Sequence, residues 1–244
     1  MSFDLSGRTA LVTGSTRGIG LALAQALAAA GARVAINGRS TDTVEARAAE
    51  IEGAMAAPFD VTDQAAVDAG VAALGRVDVL VNNTGMTLRK PLVELEVDEW
   101  QRLLDVNLTS AFLVARSVAP GMIERGGGKI INVCSVMSEL ARPTTGGYAA
   151  TKGALKMLTR SMCAEWARHG IQANGLAPGY IRTDLTEPLQ ADAEFDVWLR
   201  ARVPAGRWGE TSELGGAVVF LASPASDFVN GQLLFVDGGL SAVV

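Results

Sequence analysis

The chain has 244 residues, of which 49% are hydrophobic and 19% are charged, so it has enough apolar side chain for a substantial core and is not a disordered protein. Its 21 Lys and Arg residues are outnumbered by 26 Asp and Glu residues, and a net charge of −5 without a basic run disfavours nucleic-acid binding. The single histidine, His169, excludes His-based triads and His-ligated metal clusters, and no metal site is expected.

The N-terminal segment MSFDLSGRTALVTG lacks the basic, apolar and small-residue regions of a signal peptide. Apolar stretches such as LALAQALAAA are too short to span a hydrocarbon core. Cys134 and Cys163 lack paired spacing, which favours two buried thiols in a reducing compartment. We therefore expect a cytoplasmic protein without a membrane segment.

Short apolar runs alternate with longer helical patterns, which predicts βαβ units around a mostly parallel sheet. The predicted strands are Thr9–Thr13, Arg33–Asn37, Ala54–Phe59, Asp78–Val81, Lys129–Cys134, Gln172–Ala177 and Gln232–Val236. Helices are predicted at 18–30, 41–52, 63–73, 98–125, 147–168 and 211–222. No linker divides these elements, so we expect a doubly wound α/β protein in which one seven-stranded sheet lies between two helical layers, as a single domain over residues 1–244.

Residues 184–208 interrupt the alternation with an irregular helical segment between the last two predicted strands. Pro188 and Pro204 limit its helices, because proline removes a backbone donor and clashes with the preceding turn. A segment of this length is either a lid over a substrate site or a packing excursion on the surface, and the sequence does not choose between them.

The first predicted strand leads directly into the turn TGSTRGIG and then into an alanine- and leucine-rich helix. Glycines here permit a tight turn and a close approach of the backbone to a pyrophosphate, which free N–H groups and the helix dipole stabilise. The spacing is GxxxGxG rather than GxGxxG, and such turns are often structural, but this one lies between a strand and a helix, which predicts a dinucleotide site. The expected contacts are Gly14, Ser15, Arg17, Gly18, Ile19 and Gly20.

The end of the second strand indicates which dinucleotide is bound. Sites for NAD usually place an acid here to accept the ribose 2′-hydroxyl, but this chain has Asn37, Gly38 and Arg39 instead. Arg39, helped by Arg17, would pair with a 2′-phosphate, although either arginine alone is equally well explained as a surface charge. The predicted cofactor is NADP(H).

Two polar segments follow the next strands. Asp60 would accept a hydrogen bond from the adenine amino group beside the Val61 backbone, unless it only caps a turn. Asn83 and Gly85, in the segment NNTG, are predicted to lie beside the ribose, although much of this tetrapeptide is expected to be architectural.

Tyr148 and Lys152 lie one turn apart on the same face of a predicted helix, where the ammonium would favour the phenolate and bring its pKa towards the operating range. Ser135 ends the fifth strand, where open α/β sheets bind ligands, and its hydroxyl would hold a substrate oxygen. Asn107 lies inside a long predicted helix, an unfavourable place for asparagine that a polar role would explain. Each residue also has a plain alternative as a helix, turn or surface residue.

Together, TGSTRGIG, NNTG, Asn107, Ser135, YAATK and PGYIRT resemble the short-chain dehydrogenase/reductase family, and the likeness runs from Thr13 to the VDGG segment ending at Gly239. The resemblance implies a Rossmann fold and the catalytic tetrad Asn107, Ser135, Tyr148 and Lys152. Tyr148 would be the acid/base, Ser135 would hold the carbonyl oxygen, and Lys152 would bind the nicotinamide ribose and lower the pKa of the tyrosine, with a water held by Asn107.

The same resemblance implies further contacts. The PGYIRT segment would contact the nicotinamide end through Pro178, Ile181 and Thr183, and the helices at 98–125 and 147–168 would form a homotetramer. The sequence departs from the commonest NNAG pattern at Thr84, which adds a hydroxyl near the cofactor ribose.

The segments CSVMSELARP, PAGRWGE and FVNGQLLFVDGG resemble the gluconate 5-dehydrogenase branch of the family, also called 5-keto-gluconate reductases. This implies NADP(H)-dependent interconversion of D-gluconate and 5-keto-D-gluconate, with Ser135 and Tyr148 on the substrate. Arg142 is the first candidate for its carboxylate, and Arg89 and Lys90 are second. The alternatives are a 3-oxoacyl or broad carbonyl or polyol reductase and a non-catalytic NADP-binding redox sensor.

Overall fold

Seven short apolar strands pair side by side into one parallel sheet in the computed structural model, which describes residues 3–243. The sheet order is β3-β2-β1-β4-β5-β6-β7, and every pair of neighbours is parallel. The strands are β1 (Thr9–Val12), β2 (Arg33–Gly38), β3 (Met55–Pro58), β4 (Val79–Asn82), β5 (Gly128–Val133), β6 (Ile171–Pro178) and β7 (Leu233–Val236). The predicted Rossmann-type sheet is confirmed.

Helices cover both faces of the sheet, as the nearly continuous apolar strands require. They are α1 (Gly18–Ala29), α2 (Thr41–Ala49), α3 (Gln64–Leu74), α4 (Val97–Leu104), α5 (Ser110–Arg125), α6 (Gly146–Trp166), α7 (Glu187–Gln190), α8 (Ala193–Arg202) and α9 (Gly215–Ala222). One face packs against α1, α2 and α9, and the other packs against α3, α5 and α6. The result is the predicted three-layer arrangement.

The helix predicted at 98–125 is continuous but irregular. A π-helical turn, Asp105–Thr109, separates α4 from α5, because its backbone bonds include one from Ser110 N–H to the Asp105 carbonyl. By length and composition alone, the run Val97–Arg125 is apolar enough to cross a membrane. Its buried residues Val114 and Met122 pack against the sheet, which accounts for the apolar character as that of a core helix.

Strand order reverses between β1 and β4, and this position determines where a ligand can bind. β1 pairs with β2 on one side and with β4 on the other, so the connections from these strands diverge to opposite faces and leave a crevice at their carboxyl ends. The segments TGSTRGIG, NNTG, CSV and PGYIRT follow β1, β4, β5 and β6 at this same edge. The fold therefore gathers the motifs that are scattered along the chain.

Candidate active site

A cavity of about 1080 Å³ lies at this edge of the sheet. It is lined by the turns after β1, β2, β3, β4, β5 and β6 and by α4 and the first turns of α6. Of the predicted cofactor residues, those lining it are Gly14, Arg17, Gly18, Ile19, Gly20, Asn37, Arg39, Asp60, Val61, Asn83, Gly85, Tyr148, Lys152, Pro178, Ile181 and Thr183. The volume is ample for a dinucleotide together with a small substrate.

The glycine turn has the geometry of an anion site. Gly14 and Gly18 have φ values of +60° and +55°, which favour glycine. Any side chain at Gly20 would overlap Asn83 and the Gly14 carbonyl. The first turn of α1 contains no acidic residue, and Arg17 at its N-cap makes no side-chain cap bond, so N–H groups there are left for a ligand.

Three of the predicted cofactor residues support the turn from behind. Ser15 is fully buried, does not line the cavity, and donates to the Val12 carbonyl at 2.7 Å. Asn37 donates from Nδ2 to the Ala57 carbonyl at 2.9 Å and accepts from Gly14 N–H at 3.2 Å. Asn83 donates from Nδ2 to the carbonyls of Thr13 and Gly14. The two side-chain amides and the serine hydroxyl thus hold the turn in place. The remaining backbone N–H groups of the turn are the groups that can bind a ligand.

Charged residues lie around the mouth of the cavity. Arg39 is exposed at the end of β2, and no carboxylate lies within ion-pair distance of it among residues 3–243. Arg17 reaches Asp184 at 3.8 Å, a highly exposed pair that contributes little to stability. Hydrogen bonds from Thr62 lower the pKa of Asp60, helped by the Arg39 charge, so this carboxylate stays ionised.

Ser135, Tyr148 and Lys152 all line this cavity. Lys152 Nζ lies 5.7 Å from the centre of the Tyr148 ring and donates to the Val133 carbonyl at 2.7 Å. Ser135 Oγ accepts from Met137 N–H at 3.1 Å, and its own hydrogen can be donated to the Tyr148 oxygen. A Cβ at Gly85 would lie 3.7 Å from Lys152 Nζ, so the glycine keeps space open in front of the ammonium.

Burial dominates the protonation of this group. It raises the pKa of Tyr148 despite the hydrogen bond with Ser135, and it lowers the pKa of Lys152 to about 8. Burial thus acts on the tyrosine pKa in the direction opposite to the lowering that is expected from Lys152. The physical reason is that desolvation opposes the charged form of both groups and outweighs an ammonium that is hydrogen-bonded elsewhere.

Asn107 lies behind the cavity in the π-helical turn and is fully buried. Its side chain donates to the Met86 carbonyl at 2.9 Å and to Thr151 Oγ1 at 3.1 Å, and it accepts from Met86 N–H at 2.7 Å. The amide thus ties the segment after β4 to α6. In this arrangement it positions the cavity wall, and it is not among the residues that line the cavity.

Sequence analysis did not anticipate one wall of the cavity, which is formed by α4 and the following turn. Its lining residues are Asp98, Gln101, Arg102, Asp105, Val106 and Thr109. Positions 98, 101, 102 and 105 follow the i, i+3, i+4, i+7 spacing of a single helix face, so a polar stripe was the available signal. Thr84 also lines the cavity, and its buried Oγ1 has no hydrogen-bond partner among residues 3–243.

The predicted substrate residue Arg142 lies beside this cavity rather than in its wall. Its guanidinium carbon is 4.6 Å from the ring centre of Phe195 and 5.8 Å from that of Trp198, both in α8. The aromatic rings of residues 184–208 therefore contact Arg142 beside the cavity. The first residues of this segment, Asp184, Leu185 and Thr186, line the cavity itself.

The geometry agrees with known relatives that match nearly the whole chain. A family profile described as Enoyl-(Acyl carrier protein) reductase matches residues 14–241. The chain is 54% identical over 247 residues to a gluconate 5-dehydrogenase of Gluconobacter oxydans (strain 621H), with 98% of this chain and 96% of that protein covered. It is 50% identical over 250 residues to a 5-keto-D-gluconate 5-reductase of Escherichia coli (strain K12), with 99% and 98% covered.

A solved structure shows the same likeness in three dimensions. A gluconate 5-dehydrogenase from Burkholderia cenocepacia J2315, crystallised in complex with NADP and tartrate, superposes with a TM-score of 0.97 at 56% identity, covering 100% of this chain and 98% of that one. The chain belongs to the short-chain dehydrogenase/reductase family of oxidoreductases.

Proposed function

We propose that the chain interconverts D-gluconate and 5-keto-D-gluconate with NADP(H) as the cofactor. The observation that carries this proposal is that Ser135, Tyr148 and Lys152 line the same cavity as the glycine turn after β1. The names of the relatives from Gluconobacter oxydans and Escherichia coli support gluconate and its 5-keto form as the substrate pair. The NADP bound to the Burkholderia cenocepacia relative supports the cofactor.

The residues present fit a dinucleotide. The open N-terminus of α1 would take the pyrophosphate, and Arg39, with Arg17, would take a 2′-phosphate. Asp60 and Val61 would hold the adenine, and Pro178, Ile181 and Thr183 would flank the nicotinamide. When bound, the cofactor supplies or accepts the hydride at the reacting carbon.

The chain's own groups handle the oxygen and its proton. In the reducing direction, Ser135 donates a hydrogen bond to the carbonyl oxygen, and Tyr148 transfers its phenolic proton to that oxygen as the alcohol forms. Burial keeps the phenol protonated until substrate arrives, because it raises the pKa of Tyr148. Lys152, held by the Val133 carbonyl, stabilises the phenolate that is left, and Asn107 completes the tetrad from behind. The oxidation uses the same groups in reverse.

The first experiment is NADPH oxidation with 5-keto-D-gluconate by the wild type and by Tyr148→Phe, with NADH as the cofactor control. We expect turnover with NADPH, much weaker turnover with NADH, and a loss of about a hundred- to ten-thousandfold in the variant. The variant should bind NADPH as tightly as the wild type, since it retains the ring. If the wild type binds NADPH and leaves 5-keto-D-gluconate untouched, the substrate assignment is wrong.

The two alternative functions predict a different substrate site or a different activity. A 3-oxoacyl reductase would need an apolar channel on the substrate side, where this chain has Arg89 and Arg142. A non-catalytic redox sensor would bind NADPH and consume none with any ketone. A panel of acyl, polyol and sugar-acid ketones separates these outcomes.

Assembly as a homotetramer, in the cytoplasm, is part of the proposal. Exposed apolar side chains lie on the helices expected to form the contacts, among them Val97 and Trp100 of α4, Phe112 of α5 and Met157 of α6. Burying such a patch in a subunit contact is the usual solution for a soluble protein. Light scattering of the purified protein measures the assembly directly, and a monomer would contradict it.

A further inference from the structure

Three loops from neighbouring strands converge beside the substrate end of the cavity. Residues 86–90 follow β4, residues 139–145 lie between β5 and α6, and residues 179–181 follow β6. The first two loops are joined by a backbone hydrogen bond of 2.9 Å from Lys90 N–H to the Thr144 carbonyl. Thr144 has a φ of +68°, an uncommon conformation for a β-branched residue and one that tends to occur at ligand sites.

These loops bring together two cations without an acidic partner. Among residues 3–243, neither Arg89 nor Arg142 forms a side-chain hydrogen bond or an ion pair with a carboxylate. Burial lowers the pKa of Arg89, and the like charge of Arg142 lowers it further, which indicates that the two guanidinium groups repel each other. An anion placed between them would remove that repulsion.

The third loop adds a hydroxyl to the same place. Tyr180 Oη is buried and has no hydrogen-bond partner within the described chain. Burial raises the pKa of Tyr180, while the charges of Arg142 and Arg89 both lower it, and the charge of Tyr148 raises it. Tyr180 thus lies within electrostatic reach of both arginines and of the proposed acid. A bound acceptor would give this buried hydroxyl the hydrogen-bond partner that it lacks among the described residues.

An aromatic cluster from residues 184–208 fixes this arrangement. The Tyr180 ring packs edge-on against Phe195, Trp198 and Trp208 at centre distances of 5.5, 6.3 and 5.8 Å. Arg142 lies over Phe195 and Trp198, which holds the guanidinium plane while leaving its N–H groups free. The cluster is anchored by a hydrogen bond of 2.7 Å from Trp208 Nε1 to Asp196.

We propose that Arg89, Arg142 and the Tyr180 hydroxyl form the subsite for the substrate's carboxylate. The inference rests on the proposed function for the identity of the substrate, whose carboxylate is four bonds from the reacting carbon. Two guanidinium groups and one hydroxyl match the acceptor sites of a carboxylate, and Arg142 has the planar fork suited to bidentate pairing. The subsite makes the enzyme select acids over neutral ketoses of the same shape.

The test compares 5-keto-D-gluconate with its neutral methyl ester as substrates for Tyr180→Phe, Arg142→Gln and Arg89→Gln. Losing one hydrogen bond to a charged group should raise KM for the acid about tenfold to a hundredfold, with kcat changed little. KM for the ester should stay within about threefold of the wild type, since the ester lacks the charge that the subsite recognises. Arg142→Lys keeps the charge without the fork and should give an intermediate KM for the acid.

Arg47→Gln is the matched control, because Arg47 lies on α2 and is paired with Glu50. Equal changes in KM for acid and ester, or no change in either, would overturn the subsite. Tyr180→Phe preserves ring packing, and its thermal unfolding checks that the fold is intact.

A binding measurement separates failure of the subsite from failure of the proposed function. If the wild type does not reduce 5-keto-D-gluconate, the proposed function fails, and calorimetric titration of the NADP-loaded enzyme with D-gluconate and with tartrate then tests the subsite alone. Weaker binding in the three site variants, with Arg47→Gln unaffected, supports the anion subsite. Binding unchanged in those variants, or absent from the wild type, overturns it.

Discussion

The ammonium of Lys152 lies 5.7 Å from the centre of the Tyr148 ring, yet its hydrogen bond goes to the backbone carbonyl of Val133. The lysine is therefore positioned by the sheet rather than by the phenol. In the chain without ligands, the two groups share a buried environment that disfavours the charge of each.

This burial predicts a pH-dependent stability. Folding lowers the pKa of Lys152 from 10.5 to about 8, so between these pH values the unfolded chain binds more protons and the free energy of unfolding rises with pH. From about pH 7 to about pH 10, the difference between wild type and Lys152→Met should change by about 2 kcal/mol in favour of the wild type. Urea unfolding of the ligand-free proteins measures it. A pH-independent difference would mean that Lys152 is not desolvated.

Arg39 should determine the choice between the two dinucleotides. Removing a charge-assisted hydrogen bond to the 2′-phosphate by Arg39→Ala should raise KM for NADPH about tenfold to a hundredfold and leave KM for NADH nearly unchanged. Arg47→Ala, on the following helix, is the control and should affect neither constant. Equal losses with both cofactors would assign Arg39 a structural role instead.

Thr84 should show opposite effects on stability and on affinity. Because its buried hydroxyl has no hydrogen-bond partner in the part of the chain that the structure describes, Thr84→Val should leave the free energy of unfolding unchanged or raise it by about 1 kcal/mol. The same substitution should weaken NADPH binding about tenfold if the hydroxyl meets the cofactor, and Thr84→Ser should retain the affinity. Thermal unfolding and fluorescence titration provide the two readouts. Unaltered affinity in Thr84→Val would remove the hydroxyl from the cofactor site.

Residues 184–208 should become protected when the site is filled. α7 has only four residues, and Leu185, Val197 and Trp198 expose apolar surface, which are features of a segment of low local stability. We expect backbone hydrogen exchange in α7 and α8 to slow when NADPH and D-gluconate are added, while α9 stays unchanged. If neither ligand changes the rate of hydrogen exchange in α7 and α8, the segment is a surface excursion and not a lid.

The strands were predictable because each is a short apolar run that needs burial on both faces, and each observed bound lies within one residue of the predicted one. The placement of Ser135, Tyr148 and Lys152 followed from strand ends and helix periodicity. Neither signal reveals the π-helical turn that holds Asn107 or the hydrogen bonds of its side chain with Met86 and Thr151.

The surroundings of Tyr180 were beyond sequence reasoning for a different reason. Its neighbours Arg142 and Trp208 are far away along the chain and meet it only after β5 and β6 have paired and residues 184–208 have folded back. The burial that raises the pKa of Tyr148 was also beyond sequence reasoning, because it depends on the packing of the complete sheet edge.

The π-helical turn at Asp105–Thr109 contains one residue more than an α-helical turn would. One residue rotates a helix by about 100°, so this insertion lets a single helical run serve two surfaces, with α4 aimed at the cavity and α5 at the sheet. Deleting a residue here would restore a regular helix and swing the polar stripe of α4 out of the cavity wall while α5 remained packed. The shape of the site is thus set by chain register as well as by side-chain identity.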